Sequence, residues 1–252
     1  ARYPLALASN YDRRLCSVVR GLPELAPLSH LVIGSEVGWR KPAAEFFAAL
    51  GSQQLNVHAG PSLLRSLPGF LIGSALGIAL GLAAGVSRRL DETLSPAIFL
   101  TFPVPKIVML PLFMLWFGIG DLSKILIIAL ACFYPTFINA YYGARATRTI
   151  LVWSALNMGA GRGRIFRRVV VPSALPQIFA GLRVSLALSF IVMFATEMIN
   201  SRSGLGHLIQ AAESSLRFDL MYVSLVTIAI LGYAGDYLLR VLRSRFLRWQ
   251  ES

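Results

Sequence analysis

The sequence predicts an all-α membrane protein with about five transmembrane helices, preceded by a short α/β-like fragment. Of the 252 residues, 56% are hydrophobic and only 14% are charged, whereas a soluble domain has about 45–50% apolar and about 25% charged residues. Long uncharged runs begin only after residue 65. Two cysteines are too few for a disulfide framework, and the low charge density excludes intrinsic disorder.

The first fifty residues differ from the rest because their charges are spread evenly along the chain. Apolar runs at 5–8 and 31–33 alternate with charged, helix-like segments, a pattern typical of a β-α-β-α piece of a soluble domain. No stretch in this part is long and apolar enough to cross a bilayer. We therefore divide the chain into a fragment at 1–50, a junction and amphipathic lead-in at 51–65, and a transmembrane part at 66–252.

The transmembrane part contains five long apolar runs, each of which predicts a membrane-spanning helix. They lie at 66–87, 93–120, 125–144, 180–196 and 220–235. In the first run, five glycines recur at four-residue spacing from Gly69 to Gly85, which predicts a face packed closely on another helix rather than a ligand groove. In the second run, Pro103, Pro105 and Pro111 predict a kinked or broken helix.

Basic residues predict the orientation of these helices. The net charge is +12, and the arginines lie between the apolar runs, as in the cytoplasmic loops of membrane proteins and unlike a nucleic-acid-binding surface. The arginine-rich, acid-free segment 145–168 is therefore predicted to be cytoplasmic, as is the C-terminal tail. The same reasoning places Leu205 and Gly206 outside. It also places the first fifty residues outside, although no predicted helix carries them across.

The segment 151–176 contains the motif that says most about how the protein works. Gly159 interrupts one helical run and Pro172 follows the next, which predicts two short helices joined by a turn. A helix pair that projects from a bundle is suited to docking a partner protein. The same spacing also fits an interfacial hairpin whose arginines meet anionic lipid, and the spacing alone does not decide between the two.

Gly159 followed by Val169-Val-Val-Pro172 resembles the E-A-A…G…I-x-L-P loop of binding-protein-dependent ABC transporter permeases. The resemblance continues at 103–125, 181–183, 197–198 and 204–206, and it is greatest for the sulfonate, taurine and nitrate branch. It implies a multi-pass subunit of a bacterial inner membrane, with a cytoplasmic C-terminus, that imports a small anionic solute. The implied partners are a second permease copy, two ATPase subunits holding ATP and magnesium, a periplasmic solute-binding protein and the lipid bilayer, but no nucleic acid.

The resemblance also implies roles for particular residues. Contact with the ATPase is implied at Ser154, Ala155, Gly159, Val169, Val171 and Pro172. The translocation path is implied to pass Pro103, Pro105, Pro111 and Glu197, although the polar residues beside Glu197 favour an anchor at the end of its helix over contact with the solute. Two positions depart from the family pattern: Trp153 replaces its glutamate, and Lys106 replaces a small apolar residue.

No catalytic or metal-binding residues are predicted. The histidines and lone acids lack the spacing of metal ligands, and no nucleophile and base can be paired. The glycines at 159, 161 and 163 lack the Gly-Lys-Ser/Thr that contacts phosphate and magnesium in a nucleotide-binding loop. We therefore expect a transport subunit that is not an enzyme and binds no cofactor, with ATP hydrolysed by a partner subunit.

The N-terminal fragment resembles motifs of haloacid-dehalogenase-like hydrolases at 8–10 and 35–42. The resemblance implies a vestigial phosphate site at Ser9, Asn10 and Lys41. Because the fragment lacks the aspartate nucleophile and the acidic metal ligands of that family, we expect it to be inert. Two alternatives stay open, namely phosphatase-like activity of this part and a non-functional chimera in which the fragment replaces the first permease helix.

Overall fold

The computed structural model describes residues 5–9, 28–33 and 53–247. The chain divides into two units, Ala1–Ser52 and Gln53–Ser252. In the first unit, strand β1 (Leu5–Ser9) pairs in parallel with strand β2 (Leu28–Ile33). Both apolar runs of the fragment therefore form strands. Ser9 ends β1, whereas Asn10, Lys41 and the helices expected around the strands lie outside the described residues.

The second unit is built of helices. They are α1 (Gln53–Val86), α2 (Arg88–Thr101), α3 (Leu110–Phe117), α4 (Asp121–Arg145), α5 (Thr149–Asn157), α6 (Arg162–Ile165), α7 (Val171–Asn200), α8 (Leu205–Ser214) and α9 (Phe218–Phe246). A 3₁₀ turn, Lys106–Met109, precedes α3, and a π-helical turn, Phe166–Val170, joins α6 to α7.

Four helical segments in the described part of the chain are long and apolar enough to cross a bilayer. They are Val57–Val86, Asp121–Arg145, Arg162–Ile199 and Leu220–Phe246. A fifth span forms if α2 is counted together with the 3₁₀ turn and α3, which meet at a bend of 92°. The predicted all-α membrane bundle with about five spans, the second of them broken, is confirmed.

Two differences from the sequence-based helix boundaries bear on the candidate sites. α1 begins at Gln53 rather than at residue 66, because Arg65 is buried and paired inside the bundle instead of marking its edge. Pro172 does not end a helix, since α6, the π-helical turn and α7 continue as one span. A π turn beside a proline gives the carbonyls freed by the missing N–H other partners. The segment 151–176 is therefore one short helix followed by the start of a span.

α1 packs along α4 through the glycine face. A Cβ atom at any of its five glycines would collide with α4. The contacted residues advance from Ile128 opposite Gly69 to Ala144 opposite Gly85, so the two helices run parallel. Glycine lets the backbones approach closely, which promotes association in lipid, where the hydrophobic effect does not draw helices together. The predicted packing face is confirmed.

α4 is the central helix, because it packs against both α1 and α7. Toward its N-terminal end, Ile127 and Ile128 form a core cluster with Phe70 of α1 and Met193 of α7. Toward its C-terminal end, a second cluster joins Ala140 and Ala144 to residues of α1, α6 and α7. The two clusters fix α1, α4 and α7 relative to one another.

Candidate functional site

The turn after α5 is built around Gly159. The amide of Ala160 donates to the carbonyl of Ala155 at 3.0 Å, and the amide of Gly159 donates to the carbonyl of Leu156 at 2.9 Å. This is the hydrogen-bond pair of a Schellman motif, which needs a left-handed residue after the helix. Gly159 supplies it with φ of +76°. The glycine break predicted from the sequence is thus a defined cap that sets the direction of the chain.

α5 has two faces of different character. Its inner face, with Val152 and Ala155, packs against the cluster formed by α1, α4, α6 and α7. Its outer face exposes large apolar side chains, among them Trp153 at 63% and Met158 at 85% of full exposure. Large exposed apolar groups of this kind mark surfaces that bind another protein or a membrane.

The six predicted contact residues of this segment lie together. Ser154 is exposed on α5 and Ala155 is half-buried beneath it. Val169 and Pro172 line a cleft of about 240 Å³ with Leu151. Val171 packs against the same cluster as Ala155. We name this surface, α5 together with Gly159–Pro172, the coupling element.

The break of the second span forms one wall of a cavity of about 360 Å³. Pro103, Pro105 and Lys106 line it, and α4 and α7 form the remaining walls. Pro111 lies elsewhere, in the first turn of α3, and Glu197 is not part of the lining. The four residues predicted for the translocation path are therefore not gathered in one place.

Glu197 lies in a buried polar network near the end of α7. Its carboxylate is 0% exposed and accepts a hydrogen bond from Arg65 Nη1 at 2.7 Å. Ser62 Oγ donates to the same carboxylate at 2.8 Å, and the amide of Gly206 donates at 3.1 Å. A buried carboxylate is tolerated when it is paired and hydrogen-bonded in this way.

Arg65 connects three elements. Besides Glu197 of α7, its guanidinium donates to Asp121 at the start of α4 at 2.7 Å and to the carbonyl of Ser203, just before α8, at 2.7 Å. Lys124 of α4 donates to the hydroxyl of Ser201. Charge pairing thus ties α1, α4 and the α7–α8 connection together at one end of the bundle.

Gly204 presses directly against this network. Its φ of +119° favours glycine, and a Cβ there would collide with the carboxylate of Glu197. The amide of Gly204 donates to His58 Nδ1 at 3.1 Å. The loop that precedes α8 is therefore fixed by α1 on one side and by Glu197 on the other.

Sequence reasoning missed Arg65, Ser62 and Ser203 as members of this network. A signal was present, since Arg65 and Glu197 are isolated charges of opposite sign beside or within apolar runs. Intramembrane charges usually pair with each other, and the two residues could have been proposed as partners on that ground.

Residues 73–248 match the family described as "Binding-protein-dependent transport system inner membrane component". The chain belongs to this family. An Escherichia coli relative, provisionally named an aliphatic sulfonates transport permease protein, is 36% identical to this permease over 226 residues, which cover 86% of each chain. The riboflavin transport system permease protein of Chloroflexus aurantiacus is 37% identical over 210 residues, covering 83% of the permease and 78% of the relative.

The same fold occurs in a solved structure titled as inward-facing conformations of the MetNI methionine ABC transporter. The TM-score is 0.64 at 17% sequence identity, and the match covers 82% of the permease and 99% of that chain. The permease is thus a multi-pass transport subunit of an ABC importer, as its motifs predicted. The family match does not reach residues 1–50, so their resemblance to a hydrolase stays a prediction.

Proposed function

We propose that this permease is the membrane-spanning subunit of an ATP-driven importer for a small anionic solute such as a sulfonate, taurine or nitrate. It works as a homodimer in the bacterial inner membrane, with two ATPase subunits that hold ATP and magnesium and with a periplasmic solute-binding protein. Family membership and the sulfonate-named relative support this assignment. The C-terminus lies in the cytoplasm, on the same side as the coupling element.

The coupling element is the observation that carries the proposal. A Schellman turn on Gly159 fixes the orientation of α5, whose outer face carries exposed apolar side chains. Beside it stand exposed arginines that form no ion pair with any residue the structure describes: Arg162, Arg164, Arg167 and Arg168. Such a surface fits an apolar groove with an acidic rim, and charge complementarity of this kind sets the register of docking.

Movement of the ATPases reaches the bundle through the inner face of α5. Val152 and Ala155 pack on the cluster that contains Ala140 and Ala144 of α4. A displacement of α5 therefore repacks the contact between the coupling element and the central helix. Nucleotide can drive transport in this way only to the extent that the complex binds it more tightly in one arrangement than in the other.

Replacement of Gly159 by Val tests the docking role. A β-branched residue is strained at a positive φ, so the turn should open and α5 should lose its orientation. The measurement is the amount of ATPase subunit that co-purifies with the tagged full-length permease, which should fall to a small fraction of the wild-type amount.

Gly118→Val is the matched control. Gly118 also has a positive φ, +82°, with open space around it, but it follows α3 and lies outside the coupling element, so the same strain there should leave co-purification largely intact. Undiminished co-purification and transport in Gly159→Val would contradict docking and favour the hairpin that lies on lipid.

Cysteine labelling in intact cells tests the orientation. Leu205 is wholly buried, so the reporter for the outer side is Ser214→Cys at the exposed end of α8. It should react with a membrane-impermeant thiol reagent, whereas Ser173→Cys, exposed beside the coupling element, should react only after lysis. Both variants are made with Cys16 replaced by Ser, and Cys132 is buried. The reversed pattern would invert the proposed topology.

A further inference from the structure

Lys106 carries a positive charge at the break of the second span, beside the cavity of about 360 Å³. Its ammonium group donates to the carbonyls of Thr101, Phe102 and Val104 at 2.9, 2.6 and 2.7 Å. It also lies 4.0 Å from the centre of the Tyr134 ring. These contacts hold the ammonium in place through dipoles and a ring face, but they leave its full charge uncancelled.

Three arginines of the spans differ from Lys106 because each has a carboxylate partner. Arg65, Arg145 and Arg183 each form an ion pair with a carboxylate. No carboxylate among the described residues forms an ion pair with Lys106. An ionisable group inside a membrane protein is costly and is kept for a function or for a partner. Within the part of the chain that the structure describes, no carboxylate therefore neutralises the charge of Lys106.

The rest of the cavity is apolar. Its walls include Pro103 and Pro105 from the break, Pro135 of α4, and Leu188, Ile191 and Ala195 of α7. Small-molecule sites are commonly apolar clefts of about 300–1,000 Å³ with a few polar groups that fix the orientation of the ligand. A single cation at the rim of an apolar cavity matches a ligand with one anionic head and a short aliphatic tail.

We propose that this cavity binds an aliphatic anion, with Lys106 holding the head group and the α7 side of the cavity holding the tail. The proposal rests on the proposed import of a small anionic solute and names the place where the membrane subunit contacts it. An oxygen of the anion takes the place of one carbonyl around the ammonium. That exchange replaces a dipole by a full negative charge and so gives a stronger hydrogen bond.

Binding of 1-butanesulfonate to the purified full-length permease tests the site. The permease is placed in nanodiscs of phosphatidylcholine only, and binding is measured by calorimetry. Butanesulfonate should bind more tightly than sulfate, which lacks the tail, and than 1-butanol, which lacks the charge. Lys106→Met should weaken the binding by about tenfold or more, because a charge-assisted hydrogen bond is lost. Arg89→Gln, which removes an exposed charge from α2, should leave the affinity unchanged.

A second variant keeps the test decisive if Lys106→Met disrupts the local structure at the break of the second span. Ala195→Phe adds bulk to the cavity wall while keeping the lysine, and it should abolish butanesulfonate binding. Absence of binding to the wild-type permease, or equal binding to the wild type and the folded variants, would overturn the proposal. So would a tenfold loss of affinity on adding phosphatidylglycerol, which would identify a lipid head group as the occupant. Tighter binding of riboflavin than of butanesulfonate would also overturn it.

Failure of this inference is distinguishable from failure of the proposed function. Butanesulfonate binding is read on the permease without an ATPase, whereas the Gly159→Val experiment reads the ATPase contact without a solute. If Gly159→Val loses the ATPase while Lys106→Met binds butanesulfonate normally, only the anion site is wrong. If butanesulfonate binding behaves as expected but the ATPase never co-purifies, the anion site stands and the proposed docking of ATPase subunits falls.

Discussion

Two glycines with positive φ mark opposite kinds of region in this permease. Gly159 ends α5 with nothing within 4 Å of the position that a Cβ atom would take. Gly204 precedes α8 and is pressed against the buried carboxylate of Glu197. The first glycine orients a helix whose outer face is exposed in the described chain, and the second adjoins a network whose polar groups are paired inside the bundle. Both positions need a positive φ, but an added side chain would meet open space at Gly159 and a buried carboxylate at Gly204.

The largest expected effect concerns the buried network. Arg65→Met leaves the Glu197 carboxylate buried without its counter-charge, which should lower the free energy of unfolding by about 3–5 kcal/mol. The measurement is thermal unfolding of the purified permease in detergent. The matched change in the coupling element, Arg168→Met, removes an exposed arginine and should change stability by less than about 0.5 kcal/mol.

The double variant Arg65→Met with Glu197→Gln sharpens this test. A neutral glutamine fits the same space and can still accept from Ser62 and Gly206, so the double variant should be more stable than Arg65→Met alone. An unfolding temperature of Arg65→Met equal to that of the wild type would show that the pair contributes nothing to the fold.

The next effect compares the two glycines directly. Alanine in a left-handed conformation costs about 1–2 kcal/mol, and this is the strain expected for Gly159→Ala. Gly204 has φ of +119° and ψ of 161°, a region essentially restricted to glycine, so the backbone strain in Gly204→Ala is at least as large. Only Gly204→Ala adds a collision with Glu197, and overpacking costs a further amount of about 1–3 kcal/mol. The unfolding free energy should therefore fall further in Gly204→Ala. Equal losses in the two variants would mean that the loop before α8 can move away from the carboxylate.

The smallest expected effect on stability belongs to Trp153→Ala. Because its side chain is largely exposed, the unfolding free energy should change by less than about 0.5 kcal/mol. The affinity for the ATPase subunit should nevertheless fall by about fivefold or more, since buried tryptophans commonly dominate protein interfaces. Thermal unfolding and ATPase co-purification of the same sample separate the two effects. A fall in stability without a loss of ATPase would assign Trp153 to the fold instead.

The parts of the fold that depend on local pattern could be predicted from the sequence. The apolar runs predicted the spans, the spacing of Gly69 to Gly85 predicted a closely packed helix face but not that its partner is α4, and Gly159 predicted the turn. The pairing of Arg65 with Glu197 joins residues 132 positions apart, and no local pattern specifies such a partner. The continuation of the helix past Pro172 also depends on a π turn that the sequence does not reveal.

α4 connects the cavity at the break of the second span with the cluster beneath the coupling element. Tyr134 forms part of the cavity wall, and Ala144 belongs to the cluster beneath the coupling element. At 1.5 Å per residue about 15 Å separates them along the helix axis, so a tilt of about 5° around one end shifts the other by about 1.3 Å. That shift approaches the length of a carbon–carbon bond. A small rotation imposed at the coupling element is therefore enough to change the width of a cavity that holds a ligand of a few carbon atoms.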